Sequence, residues 1–177
     1  MRIFKITITA TLSVFIFSCN STKFISLKKN ENNLKPVQFF VGKTRSSGVI
    51  ENRVGKPTTN ITTETVGIFK DSILTIEQNL YPEGGKKNHR SWQVKLLNEN
   101  SVEATANDID GKAIGVLKGN QFSWTFRLKL ANRKFIKHAR MSQYYYLMPD
   151  GQTMIIRSVI RKFSFIVAQI TEQFQKY

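Results

Sequence analysis

The chain has 177 residues, 41% of them hydrophobic, with 27 Lys and Arg against 12 Asp and Glu, a net charge of +15. That is the size of one ordinary domain with enough chain to bury a core. Its single cysteine, Cys19, excludes any disulfide or cysteine–metal framework.

From the N-terminus, Arg2 and Lys5 lead into an apolar run from Ile6 to Phe17, followed by Ser18 and Cys19. That order is the order of a secretory signal, and a cysteine at its end marks where bacterial lipoproteins are cut and acylated. The expectation is a signal peptide over 1–18 and lipidation of Cys19. The run is too short and too rich in Thr and Ser to span a bilayer, which takes about 20 apolar residues. Cleavage leaves 159 residues with a net charge of +13. Residues 19–35 are rich in Lys and Asn, lack a sustained apolar period, and read as a flexible tether. Asn20, rather than Asp, after the cysteine favours the outer membrane and a periplasmic location. The expected partner is the membrane, through the lipid anchor, and nucleic acid is not expected for an exported protein.

Leu34, Val37, Phe40 and Val41 fall at helical spacing around Pro36, predicting a short helix or turn at the start of a single domain over 36–177. Beyond it, turn signals recur at Val54–Pro57, Pro82–Gly85, Asn98–Asn100, Asp108–Gly111, Gly119-Asn120, Ala131–Arg133 and Pro149–Gly151. The runs between them are rich in Thr, Ile, Val, Phe and Tyr. Short strands at this spacing predict an all-β fold, and an antiparallel up-and-down barrel of about 8–10 strands leaves no exposed edges.

A two-residue turn at Gly119-Asn120 sets Lys118 opposite Gln121, Gly115 opposite Trp124, Ala113 opposite Phe126 and Gly111 opposite Leu128. The aromatic side of this hairpin is expected inside, with Lys112, Ile114, Val116, Lys118, Arg127, Thr125, Ser123 and Gln121 on the other face. The hairpin around Pro149–Gly151 carries apolar groups on both faces. Phe163, Ile166, Val167, Ile170 and Phe174 fit a helix, yet the run from Phe163 to Val167 is β-rich; a closing strand is the favoured reading.

Catalytic groups are sparse. His89 lies among Lys86, Lys87 and Arg90, and His138 among Lys134, Lys137 and Arg140, neither with a neighbouring carboxylate in sequence. Asp108, Asp110 and Gly111 do not make a calcium loop: with Gly111 at the turn position, Ala106 and Leu117 stand where ligands belong. No phosphate loop, nucleophile elbow or zinc pattern is present. No enzyme activity, metal or cofactor is expected.

Two binding sites are expected instead. One is the aromatic interior of Phe122, Trp124, Phe126 and Tyr145, with Ala113 and Gly115 leaving room for a small apolar or amphipathic ligand; the same rings could also simply fill the barrel. The other is a basic outer face of Arg127, Lys129, Arg133, Lys134, Lys137 and Arg140, suited to anionic lipid headgroups or to an envelope partner. From Lys118 onward eleven basic residues face only Asp150 and Glu172. Solubility accounts for that excess equally well.

The ordered set Phe40-x-Gly42, Gly48, Arg53, Gly55, Arg90-x-Trp92, Ala104 through Gly111, Gly119-Asn120, Trp124, Tyr146–Met148, Arg157 and Lys162-Phe163 resembles the bacterial envelope lipoproteins of the Domain of Unknown Function 3833 family. The resemblance covers nearly all of the domain and implies a β-rich, lipocalin-like fold with no established activity. Gln143-Tyr144 stands where such proteins tend to have Asp-Trp, Ile156 where Asn is usual and Ser164 where Gly is usual.

Overall fold

The computed structural model describes residues 36–130 and 137–177. The expectations for the signal peptide, Cys19, the tether, Ala131–Arg133 as a turn, Arg133 and Lys134 lie outside these residues.

Period-two alternation of apolar and polar side chains forces a sheet to bury one face, and here the sheet closes on itself. A five-residue helix, α1 (Pro36–Phe40), precedes ten strands: β1 (Gly42–Asn52), β2 (Pro57–Lys70), β3 (Ile73–Pro82), β4 (Asn88–Asn98), β5 (Ser101–Ala106), β6 (Ile109–Lys118), β7 (Gln121–Lys129), β8 (His138–Leu147), β9 (Thr153–Lys162) and β10 (Phe165–Lys176). Each strand pairs antiparallel with its sequence neighbours, and β10 closes the barrel on β1, from Thr44 opposite Lys176 to Asn52 opposite Ala168. Every one of the ten strands is paired on both edges. The all-β, up-and-down barrel expected from the turn spacing is the observed fold, and residues 165–176 form its closing strand.

The inward positions follow the pleat. Trp92 and Val94 on β4, Phe122, Trp124 and Phe126 on β7, and Met141, Tyr145 and Leu147 on β8 are all buried. One rim carries α1 and the turns near residues 71, 99, 119 and 150. The far rim carries the turns near residues 54, 84, 107 and 163 and the β7–β8 connection.

The Gly119 hairpin has the expected register from Lys118–Gln121 to Gly115–Trp124 and on to Ile114–Thr125. Beyond Ile114 it departs: Asp110 faces Arg127 and Ile109, not Gly111, faces Leu128. No ladder pair joins Ala113 to Phe126, and both side chains are buried. A bulge absorbs the extra residues, with Gly111 exposed at φ 75°, and the turn moves back to Asn107-Asp108. Gln121, expected outside, is buried. Two tight turns without glycine carried no signal: Asp71-Ser72, at φ 51° and 63°, and the β9–β10 turn, with Phe163 at φ 53°.

Candidate functional site

The barrel interior has two chemically different walls. On one side stand the aromatic rings. Trp92 and Trp124 stack with centroids 4.5 Å apart, while Phe126, Phe122 and Tyr145 meet them edge-on or tilted. Trp124 Nε1–H and the Tyr145 hydroxyl both donate to Gln143 Oε1, at 2.8 and 3.0 Å, and Gln143 Nε2–H donates to Ser158 at 3.0 Å. Burial pushes the Tyr145 hydroxyl well above the ordinary tyrosine range. It stays a neutral donor.

The opposite wall, from β10, β1 and β2, is hydroxyl-rich. Thr44, Ser46, Thr63, Thr65 and Glu172 are buried there. The Ser46 and Thr63 hydroxyls both donate to Glu172 Oε1, each at 2.7 Å. Burial raises the Glu172 carboxyl above its usual range, with those two hydroxyls and the more distant Arg90 charge pulling the other way. Gly48 makes room for it: a Cβ there would fall on the Thr171 carbonyl oxygen and within 2.6 Å of Glu172 Cγ. The Thr44 hydroxyl, fully buried, has no hydrogen-bond partner among the described residues. Gln78 joins the two walls, accepting from Trp92 Nε1–H at 3.0 Å and donating to Thr65 Oγ1 at 3.5 Å.

Against the aromatic wall remains a void of about 20 Å³, with room for about one water. It is lined by Phe40, Gln78, Trp92, Phe122, Trp124 and Tyr145, among others. Phe40 enters from α1 and packs edge-on against Tyr145 and Phe174, at 6.3 and 6.1 Å. The helix lies tight on β2, since a Cβ on Gly67 would overlap the Phe40 carbonyl. At the other end of the interior, Arg90 Nε–H donates to both Asp108 oxygens at 2.9 and 2.8 Å, and its Nη2 lies 2.7 Å from Oδ2. The guanidinium covers the Trp92 and Phe126 rings, at 5.6 and 5.8 Å.

A family model described as "Protein of unknown function (DUF3833)" matches residues 13–176. The chain belongs to the DUF3833 family. No curated protein matches it. Among solved structures, the S-type phycobiliprotein lyase CPES from Guillardia theta is similar with a TM-score of 0.60 at 8% identity, covering 84% of this chain and 95% of that one. At that identity the likeness is one of fold, a lipocalin-like barrel.

The DUF3833 resemblance gains physical content from the structure. Arg90, Trp92 and Asp108 form one packed unit, and Gly48 admits Glu172. Of the departures, Gln143 and Ile156 face inward and Ser164 lies in the β9–β10 turn.

Ala113, Gly115, Phe122, Trp124, Phe126 and Tyr145 all come together inside, as expected. The room expected at Gly115 is absent: a Cβ there would overlap the Phe122 ring and lie 2.7 Å from a Val102 methyl. The glycine is needed so that Phe122 can fill the space. Arg127, Lys129, Lys137 and Arg140 are exposed on the outside. His89 faces outward and meets Glu77 at 2.8 Å, and His138 lies 3.6 Å from Asp110; neither carboxylate is a sequence neighbour of its histidine. Among the described residues, no three His, Cys, Asp or Glu side chains gather as metal ligands.

The hydroxyl wall, Gln78 and the Phe40 plug were not legible as a site. β1 reads Lys43-Thr44-Arg45-Ser46-Ser47, polar on both faces, so hydropathy does not reveal which side is interior.

Proposed function

We propose that this DUF3833 protein is a lipid-anchored envelope lipoprotein, acylated at Cys19, that binds a small amphipathic molecule inside its barrel rather than catalysing a reaction. The observation that carries this reading is the two-walled interior meeting beneath Phe40. An aromatic wall suits an apolar tail, and Gln78, which lines the void with Thr65 behind it, suits a hydroxyl or amide head. Thr44, directly opposite Thr65, is buried with no hydrogen-bond partner among the described residues, a polar group for which a ligand reaching that wall would provide the missing bond.

The charges point to a neutral head group. Arg90, whose guanidinium could otherwise meet an anion, is already engaged by Asp108. With Phe40 in place the void holds no more than a water, so the ligand takes the position of the Phe40 ring as α1 lifts. His89 and His138 sit outside this space, which supports binding over catalysis.

Both tryptophans of the chain line the void, so tryptophan fluorescence reports directly on it. Titration of residues 20–177 with a medium-chain monoacylglycerol is expected to give a saturable spectral shift, with Phe40→Ala binding at least as tightly. A linear, unsaturable response in both proteins would overturn the reading.

A further inference from the structure

Exposed apolar side chains scattered singly are ordinary. One group of them lies on the far rim. Phe163 is 85% exposed, Phe165 77% and Val54 75%, on the β9–β10 and β1–β2 turns. These turns are neighbours because β10 pairs with β1.

Cations surround them. Arg53 and Lys56 flank Val54, and Lys162 Nζ stands 5.1 Å from the Phe163 ring. On the outer face, Arg140 of β8 lies directly opposite Arg127 of β7 and Arg161 of β9, three arginines in one row across adjacent strands. Like charges directly opposite in a sheet are destabilising. Asp110 relieves one end of the row, lying 3.4 Å from Arg127. An arrangement that costs the isolated fold stability is suited to an anionic surface outside it.

We propose that this sector of the far rim docks on a bilayer containing anionic phospholipid. Phe163 and Phe165 enter the boundary between headgroups and acyl chains, while Arg140 and Arg161 meet lipid phosphates; Lys162 Nζ donates to the His138 carbonyl at 2.8 Å and stays on the protein. Long basic side chains beside aromatic groups suit this interface, because their apolar stems can enter while their charges stay at phosphate depth. The dock is independent of any ligand in the barrel. It is compatible with an anchor at Cys19: sixteen intervening residues at up to about 3.6 Å each exceed the length of β1, eleven residues at about 3.3 Å each.

The test is co-sedimentation of residues 20–177, without an acyl chain, with vesicles of phosphatidylcholine alone or mixed with phosphatidylglycerol. The protein is expected to partition onto the mixed vesicles and to be released by salt. Phe163→Ser with Phe165→Ser weakens partitioning about tenfold or more. Arg140→Gln and Arg161→Gln each weaken it about fivefold. Phe163→Leu keeps an apolar anchor and retains binding, which separates lost docking from lost folding. No partitioning onto mixed vesicles, or partitioning unchanged by both sets of substitutions, would overturn the proposal.

Discussion

Glu172 is buried in a barrel that supplies two hydroxyl donors but, among the described residues, no ion-pair partner, and its carboxyl is held above the ordinary range chiefly by that burial. The consequence for stability has a definite sign. The folded state binds the Glu172 proton more tightly than the unfolded chain, so this residue's contribution is fully present below the ordinary value of 4.5 and is lost as pH rises through the raised one. Glu172→Gln keeps the shape and removes the titration. The difference in Tm, variant minus wild type, is therefore expected to grow in the variant's favour as pH rises from about 4.5 towards neutrality. A difference independent of pH would show that Glu172 does not titrate abnormally. At this scale the sequence was informative where alternation was clean: Trp124 and Phe126 share the apolar face of their strand, whereas Tyr145 sits between Tyr144 and Tyr146, which left its side open. It was silent for Ser46, Thr63 and Thr65, whose hydroxyls serve equally well in water or against a buried carboxylate.

Element by element, legibility followed turn chemistry. Turns built on glycine with proline, asparagine or aspartate declared themselves, and Asp150 shows the mechanism: its carboxylate accepts from the Gln152 and Thr153 backbone N–H groups and from the Thr153 hydroxyl. The Asp71-Ser72 turn did not, because both residues adopt a left-handed backbone without glycine. That leaves strain to relieve. Ser72→Gly is expected to stabilise the fold by about 1 kcal/mol in chemical denaturation, as the second position of a two-residue hairpin turn accepts glycine at no steric cost. Lower stability in the variant would mean that Ser72 makes contacts that outweigh its strain. The β6 bulge escaped for another reason. Counting outward from Gly119-Asn120 assumes an unbroken ladder, and Gly111 breaks it. The short helix at Pro36 was visible from its spacing, but nothing in a five-residue segment revealed that Phe40 would enter the barrel against Tyr145 and Phe174.

The whole molecule separates its surfaces by chemistry. One rim bears α1 and the Phe40 plug, the far rim bears exposed aromatics and arginines, and the interior is divided into an aromatic and a hydroxyl wall. Closure of ten strands follows from the number and spacing of turns, so the fold class was accessible from sequence. How full the barrel is was not, because that depends on whether Phe122 turns into the space left by Gly115 and whether Phe40 fills the mouth. The most direct measurement is native mass spectrometry of residues 20–177 expressed in the periplasm, comparing wild type with Phe40→Ala. Binding inside the barrel predicts a reproducible adduct that denaturation releases, at higher occupancy in Phe40→Ala than in wild type. A clean apo mass for both proteins would contradict an interior ligand and leave the barrel as a filled scaffold.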